Sequence, residues 1–347
     1  METFGYTFSF GPWNIHEGAD PFGPPVRPTV AFEQKLALYK QLGFDAVQFH
    51  DDDAVPDLDH KSAAQIEAEA RALKQKLDDH GLFAEFVAPR LWEHPLTVDG
   101  AYTSNNAQAR AYALERSHKM LDIAQALGVP LVVLWYAREG TYQREAKDAA
   151  RAVDQLVAAL DDMLAYAPEI RIAIEPKPNE PMDLAYIPTI GHAIALGFRT
   201  RAPERVGTLV ESAHAILAGL DPADEMAFAL AYDKLWSVHL NDQNGLKFDQ
   251  DRAFGSVNLR RAFDQVLVLD NHRFYEKGVV GLDVKALRTQ PAELAYKHLA
   301  NSRETFLWLV ERVRSLDRAA MQQCIDARDY EELDRLIIGH LMHRQSA

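Results

Sequence analysis

Carboxylates and imidazoles stand in this chain at the ends of short apolar runs: His50-Asp51-Asp52-Asp53, Glu175-Pro176-Lys177, Glu211 with His214 close behind, His239, and Asp283. Asp249 and Asp251 stand two apart in Lys247-Phe248-Asp249-Gln250-Asp251, a spacing that lets both reach one cation from an extended loop. Oxygen-rich ligation with one or two imidazoles suits Mg, Mn or Co rather than structural zinc. A single Glu after an apolar run is more often a helix cap or a surface charge. Acidic or His residues closing five such runs are another matter, because that many neighbouring carboxylates repel unless cations neutralise them. The chemistry this pattern predicts is that of a divalent-metal centre.

The elements that must position these groups are legible from periodicity. Runs rich in β-branched and aromatic residues fall at about 8–13, 46–50, 84–89, 131–135, 172–176, 207–211, 237–241 and 278–283. Between them lie amphipathic stretches such as 32–42, 63–79, 107–127 and 145–165, apolar at three and four spacings. Eight strands alternating with helices predict an α/β protein, a closed (β/α)8 TIM barrel, whose site gathers at the C-terminal strand ends. Beyond Asp283 two helical segments, about 292–316 and 318–343, follow without a further strand. They read as a C-terminal helical arm with little barrel surface left to cover. Such an arm wraps a neighbouring subunit or packs as a satellite hairpin. The expected organisation is a catalytic barrel over 1–288 and a helical extension over 289–347 making oligomer contacts.

The 347 residues are 48% hydrophobic and 25% charged, the composition of a folded soluble protein. Thirty-seven basic against 51 acidic side chains leave a net charge of −14. That charge repels phosphate backbones and offers no basic stripe, which excludes nucleic acid as a partner, abasic-site endonuclease chemistry included. Cys324 is the only cysteine, so intramolecular disulfides and thiolate metal cages are both impossible, and a reducing cytoplasm is the expected compartment. The start METFGYTFSF lacks a basic, then apolar, leader, and no run approaches about 18 apolar residues, so neither export nor a membrane partner is expected.

The strings FHDDD followed by VP, LW followed by REG, IEPKPNEP, and KFDQD resemble the signature stretches of the xylose isomerases, and the likeness runs from about Phe8 to about Lys285. The resemblance implies a metal-dependent aldose to ketose exchange on a small sugar, D-xylose to D-xylulose or D-glucose to D-fructose. A hydride moves between neighbouring carbons while two divalent ions polarise the oxygens, and no organic cofactor is needed. It places Glu175, Glu211 and Asp283 at one metal, and Glu211, His214, Asp249 and Asp251 at a second, with Glu211 bridging. His50 with Asp53 resembles the family's ring-opening pair, the imidazole handling the anomeric proton and the carboxylate fixing its tautomer. Lys177 resembles the lysine that polarises the carbonyl oxygen. Trp13 and Trp135 match the apolar walls of the sugar pocket, and Phe22 in DPFGPP matches an aromatic inserted from a neighbouring subunit. A homo-oligomer, dimer or tetramer, is implied, although the C-terminal arm ends earlier than is usual.

Two departures bear on the substrate. Where the family usually has Asp on strand seven, this chain has His239 in SVHLND; imidazole can replace a carboxylate as a ligand, and the related rhamnose isomerases look similar in using a His there. Where the family commonly reads VTTN plus an aromatic, this chain reads VAPRLW, with Ala88 and Arg90 replacing hydroxyl and amide. Arg90 then either engages a carboxylate or phosphate of a charged sugar or pairs with the abundant acids. The alternatives are a barrel acting on another or a modified sugar, as isomerase, epimerase or lyase, and a non-catalytic sugar-binding barrel.

Overall fold

The computed structural model describes residues 2–342. Eight parallel strands close a barrel: β1 Phe8–Phe10, β2 Ala46–His50, β3 Phe83–Ala88, β4 Leu131–Trp135, β5 Arg171–Glu175, β6 Val206–Glu211, β7 Leu235–Leu240 and β8 Val280–Leu282. Each expected run forms its strand. The first is shorter than its apolar stretch because Pro12–Asn14 turn into a 3-10 helix. β8 pairs with β1 through Phe8↔Val280, Ser9↔Gly281 and Phe10↔Leu282, which closes the ring.

The alternation along a strand sorts residues between two layers. Phe8, Val47, Phe49, Ile172, Val210, Val238 and Leu282 are fully or almost fully buried between strands and helices. Facing inward, β3 to β6 supply an apolar cluster of Phe86, Ala88, Leu131, Val133, Ala173 and Leu209. The same inward rows end at the C-terminal rim in His50, Trp135, Glu175 and Glu211, so strand period alone brings these side chains to one mouth.

The helical ring is α1 Phe32–Gln41, α2 Ala63–Asp79, α3 Ala107–Leu127, α4 Ala149–Tyr166, α5 Ile190–Phe198, α6 Pro222–Ala231, α7 Leu259–Asn271 and α8 Lys297–Ser315. Polar caps set the starts: Ser62 and Gln65 form a reciprocal capping box on α2. α4 begins at Ala149, later than its periodicity suggests, because Asp148 accepts from the N–H groups of Ala150 and Arg151. A short antiparallel pair, Gly140–Thr141 with Leu184–Ala185, ties the loops after β4 and β5 together and has no sequence signal of its own.

The C-terminal arm divides differently from its sequence reading. α8 is the eighth barrel helix: Leu299, Phe306, Val310 and Val313 are fully buried in the main core. What extends past the ring is α9 Arg318–Ala327 and α10 Tyr330–Leu341, not one segment over 318–343. Arg328 adopts a left-handed backbone that stops α9, and Asp329 caps α10 by accepting from the Glu332 N–H at 3.0 Å. His343 lies outside the described residues.

α8 carries a buried imidazole, His298, whose Nε2 meets the Asn14 carbonyl at 2.9 Å. Burial, with Arg27 and His16 nearby, outweighs that carbonyl and lowers its pKa from 6.5 to about 4. The unfolded chain therefore takes up a proton below about pH 6.5 that the folded chain refuses until about pH 4. The stability of the neutral imidazole is complete above pH 6.5 and drains as pH falls through that window, by about 3 kcal/mol in all. Urea unfolding from pH 7.5 to 4.5 should show this loss. His298→Gln, which keeps an N–H for Asn14, should flatten that part of the curve, and parallel curves for the two proteins would refute the assignment.

Candidate functional site

Glu211, the last residue of β6, is the hub. Three sets of ligand atoms lie within 4.8 Å of one another, and Glu211 belongs to each: with Glu175 and His214, with His239 and Asp283, and with Asp249 and Asp251. His239 Nδ1 is 3.1 Å from Glu175 Oε1 and 3.5 Å from Glu211 Oε2. His214 Nε2 is 3.3 Å from Glu211 Oε1 and 3.2 Å from Asp249 Oδ2. All seven metal-ligand residues expected from sequence meet here. Asp249 and Asp251 converge from the loop after β7, where Asp251 takes a left-handed backbone at φ 47 that few non-glycine residues adopt.

Charge in this cluster is compensated by cationic side chains on two sides. Lys177 Nζ donates to Asp249 Oδ2 at 2.9 Å, and Lys285 pairs with Asp251. Trp13 Nε1 and Asn14 Nδ2 each donate to Asp283 Oδ1 at 3.0 Å. Asn241 Nδ2 donates to Glu211 Oε1 at 2.9 Å and to Asp251 Oδ1 at 3.2 Å. The remaining repulsion is divided unequally. Burial pushes Asp249 up, but Lys177 and His214 hold it well below the usual carboxylate range. Burial raises Asp251 well above that range, and Asp249 adds to the effect. Glu211 is likewise raised by burial, which outweighs the pull of the two imidazoles, with Asp249 and Glu175 adding to the rise. Carboxyls raised in this way mark a cluster short of positive charge, which a divalent cation can supply. His214 Nδ1 and Asp249 Oδ1 are buried without a hydrogen-bond partner, which fits donors arranged for a metal ion.

The signature strings divide between chemistry and support. Arg138 Nε of REG donates to the Trp92 carbonyl at 3.2 Å, and buried Glu139 accepts from the N–H groups of Ala101, Tyr102 and Thr103. The loop after β3 is thereby collared to the end of β4. In IEPKPNEP, Glu180 Oε2 accepts from the Asp249 N–H at 3.0 Å, joining the loops after β5 and β7. Trp13, His50, Trp92 and Trp135 follow one another in ring contact at 4.2, 5.1 and 4.6 Å, and Lys177 lies over the Trp135 ring at 5.3 Å. This aromatic wall connects His50 to the acidic cluster, because Trp13 touches both.

A family model described as the xylose isomerase-like TIM barrel matches residues 36–302. The chain belongs to the xylose isomerase-like TIM-barrel family. It is 36% identical over 316 residues to the xylose isomerase of Thermus thermophilus, covering 89% of this chain and 80% of that protein. Solved structures share the fold at low identity. The IolI protein with a binding zinc atom aligns at TM-score 0.64 and 16% identity, covering 89% of this chain and 99% of its own. A D-tagatose 3-epimerase-like protein aligns at 0.63 and 16%, covering 89% and 98%. No helix of the described residues is long and apolar enough to cross a membrane.

Within this xylose isomerase-like barrel the three aspartates of FHDDD do separate work. Asp51, fully buried, takes Arg116 Nε at 2.5 Å and Nη2 at 2.9 Å. Asp52 takes Arg90 Nε at 2.8 Å, and Asp53 takes Arg90 Nη2 at 3.0 Å. Arg90 is thus paired with the chain's own acids, Asp52 and Asp53. The same Nη2 lies 2.9 Å from His50 Nδ1, whose other neighbour is Asp53 Oδ2 at 3.1 Å. A guanidinium only donates and a carboxylate only accepts, so Nδ1 stands between two opposed partners, and the one it meets decides the tautomer of the ring. Asp53 also accepts from Arg90, so carboxylate, guanidinium and imidazole form one triangle. Phe22 is 83% exposed, its ring 5.5 Å from Phe248, and does not reach the site within its own chain.

Sequence reasoning passed over Gln48, Trp92, Asn241 and Lys285. Gln48 and Asn241 lie two residues from His50 and His239, so strand period would have put them on the same inward rows. Trp92 and Lys285 sit in loops, where periodicity carries no information. Replacing Arg90 with Leu leaves Asp53 as the partner of Nδ1. Long-range ¹⁵N–¹H spectra of the His50 ring in that variant should show the Nδ1–H pattern, and an Nε2–H pattern there would contradict a direct pairing with Asp53.

Proposed function

We propose that the chain is a metal-dependent aldose–ketose isomerase that interconverts D-xylose with D-xylulose and D-glucose with D-fructose. One observation carries the reading: Trp13 bridges His50 and Asp283, so an acid–base group and the carboxylate cluster face a single aromatic-walled space. The identity with a xylose isomerase supports the substrate. Two divalent ions, Mg, Mn or Co, are assigned to the cluster. Glu175, Glu211, His239 and Asp283 would hold one, and Glu211, His214, Asp249 and Asp251 the other, with Glu211 common to every ligand group. When bound, such ions polarise adjacent sugar oxygens and neutralise developing alkoxide charge.

The chain's own groups do the rest. A sugar's C–H face stacks on Trp13, Trp92 and Trp135, which also exclude water. As the ring opens the anomeric hydroxyl loses its proton and the ring oxygen gains one, and His50 takes up the first as it passes on the second. In the isomerisation the hydrogen on C2 moves with its electron pair to C1, O2 loses its proton and O1 gains one. Lys177, buried near the cluster, directs its ammonium at the carbonyl oxygen. Burial works against that charge, but Asp249 and Glu211 keep its pKa above the ordinary lysine value. The exposed Phe22 suits a homo-oligomer, dimer or tetramer, in which a neighbour buries it, and the single cysteine suits a cytoplasmic enzyme.

Ala88 and Arg90 favour a second reading, an isomerase or epimerase for another sugar, because they remove the hydroxyl and amide expected at the distal end. A coupled assay on chelated protein, with and without Mg, Mn or Co, separates the two. Turnover of D-xylose should require metal, and Lys177→Met should lower it by about a hundredfold or more. Metal binding without turnover of xylose or glucose would reject the first reading, and a panel of aldoses, ketoses and uronates would then identify the sugar.

A further inference from the structure

The barrel interior below the site is polar on one side, which is unusual for a space normally filled by apolar layers. Ser9 of β1, Gln48 of β2, Glu85 of β3 and Ser237 of β7 meet there, all buried. Glu85 reaches this row through a bulge: Val47 pairs with Ala84 and Gln48 with Phe86, so Glu85 is the extra residue and faces inward together with Phe86. Across from it Gly281 leaves the room that Gln48 needs, since a Cβ there would overlap the Gln48 amide.

The hydrogen bonds in this row have one direction. Glu85 accepts from Ser9 Oγ and from Ser237 Oγ, the latter at 2.7 Å. Gln48 Nε2 donates to Glu85 Oε2 at 3.2 Å and to Ser9 Oγ at 3.0 Å. Its amide is therefore oriented with Oε1 at the far end, 3.1 Å from His239 Nε2. An amide oxygen only accepts, so His239 keeps its hydrogen on Nε2 and turns Nδ1 toward Glu175 and Glu211.

We infer that Glu85 and Gln48 are positioning residues that make His239 a metal ligand through Nδ1. A carboxylate, an amide and an imidazole in series would replace the single carboxylate that the resemblance leads one to expect on β7. Second partners of ligating histidines characteristically fix tautomer and ring orientation in this way. The inference rests on the metal-dependent reading above and concerns only the Glu175, Glu211, His239 and Asp283 set.

Co²⁺ titration followed by visible absorption tests it, with circular dichroism as a control for folding. Gln48→Met, close in shape but without the amide, should weaken one of two Co²⁺ sites by roughly ten- to a hundredfold and leave the other unchanged. Glu85→Gln, the milder change, frees the Gln48 amide to turn over and should weaken the same site. The decisive protein is Gln48→Met combined with His239→Asp. Aspartate needs no tautomer, so this double variant should regain the affinity that Gln48→Met lost, which a purely structural role for Gln48 would not produce. Wild-type spectra and affinities in Gln48→Met, or no recovery in the double variant, would overturn the inference. Wild-type protein that binds no Co²⁺ would instead overturn the metal-dependent reading, and this inference with it.

Discussion

Five carboxylates, Glu175, Glu211, Asp249, Asp251 and Asp283, converge in a mouth where water is largely excluded, and the rest of the site exists to make that convergence bearable. Like charges this close interact far more strongly in a buried setting than at a surface. Nothing in the apolar layers beneath can offset them. The compensation comes from side chains on separate elements: Lys177 after β5, Lys285 after β8, and the imidazoles of β7 and of the turn after β6. Each donor therefore fixes a loop as well as a charge. The Lys177 pair joins the β5 loop to the β7 loop, and the Lys285 pair joins the β7 loop to the end of β8.

A second tier of buried polar contacts holds these loops in register. Glu139 collects three backbone N–H groups, and Asp51 takes the Arg116 fork; neither approaches the acidic cluster. Buried carboxylates are costly when unpaired and rigid when fully satisfied. These two are fully satisfied, so motif residues with the look of catalytic acids act here as clamps. The division shows in FHDDD, where neighbouring aspartates serve a helix, a loop arginine and an imidazole neighbour.

Much of this was legible beforehand, and the reasons for the exceptions are physical. Strand period two and the rule that barrel chemistry gathers at C-terminal strand ends are enough to bring Glu175, Glu211, His239 and Asp283 together. Helix period placed Ala63–Asp79 and Ala107–Leu127 to the residue. It misjudged the C-terminal segments because an amphipathic stripe looks alike whether it covers a barrel or a partner, and because Arg328 breaks the helix with no glycine or proline to announce it. Arg90 could not be assigned from sequence, since its choice between a ligand and the chain's own acids depends on how β2 and β3 end side by side. The Glu85 bulge is invisible for the same reason: period two predicts that Glu85 and Phe86 face opposite ways, and only the register with β2 shows that they do not.

The bulge also explains why the barrel can tolerate an imidazole where a carboxylate is expected. An isolated buried imidazole would be free to carry its hydrogen on either nitrogen, and with Nδ1–H it would donate to Glu175 and have no lone pair left on that side. Removing that freedom takes an acceptor fixed on the opposite side, and an amide serves only if its own ends cannot exchange. A carboxylate can accept but not donate, so placing one beside the Gln48 amide selects a single orientation. The strand irregularity, the absent side chain at Gly281 and the polar row are therefore one device. Each member would be a defect without the others: a buried charge, a gap in the wall, and an unpartnered amide.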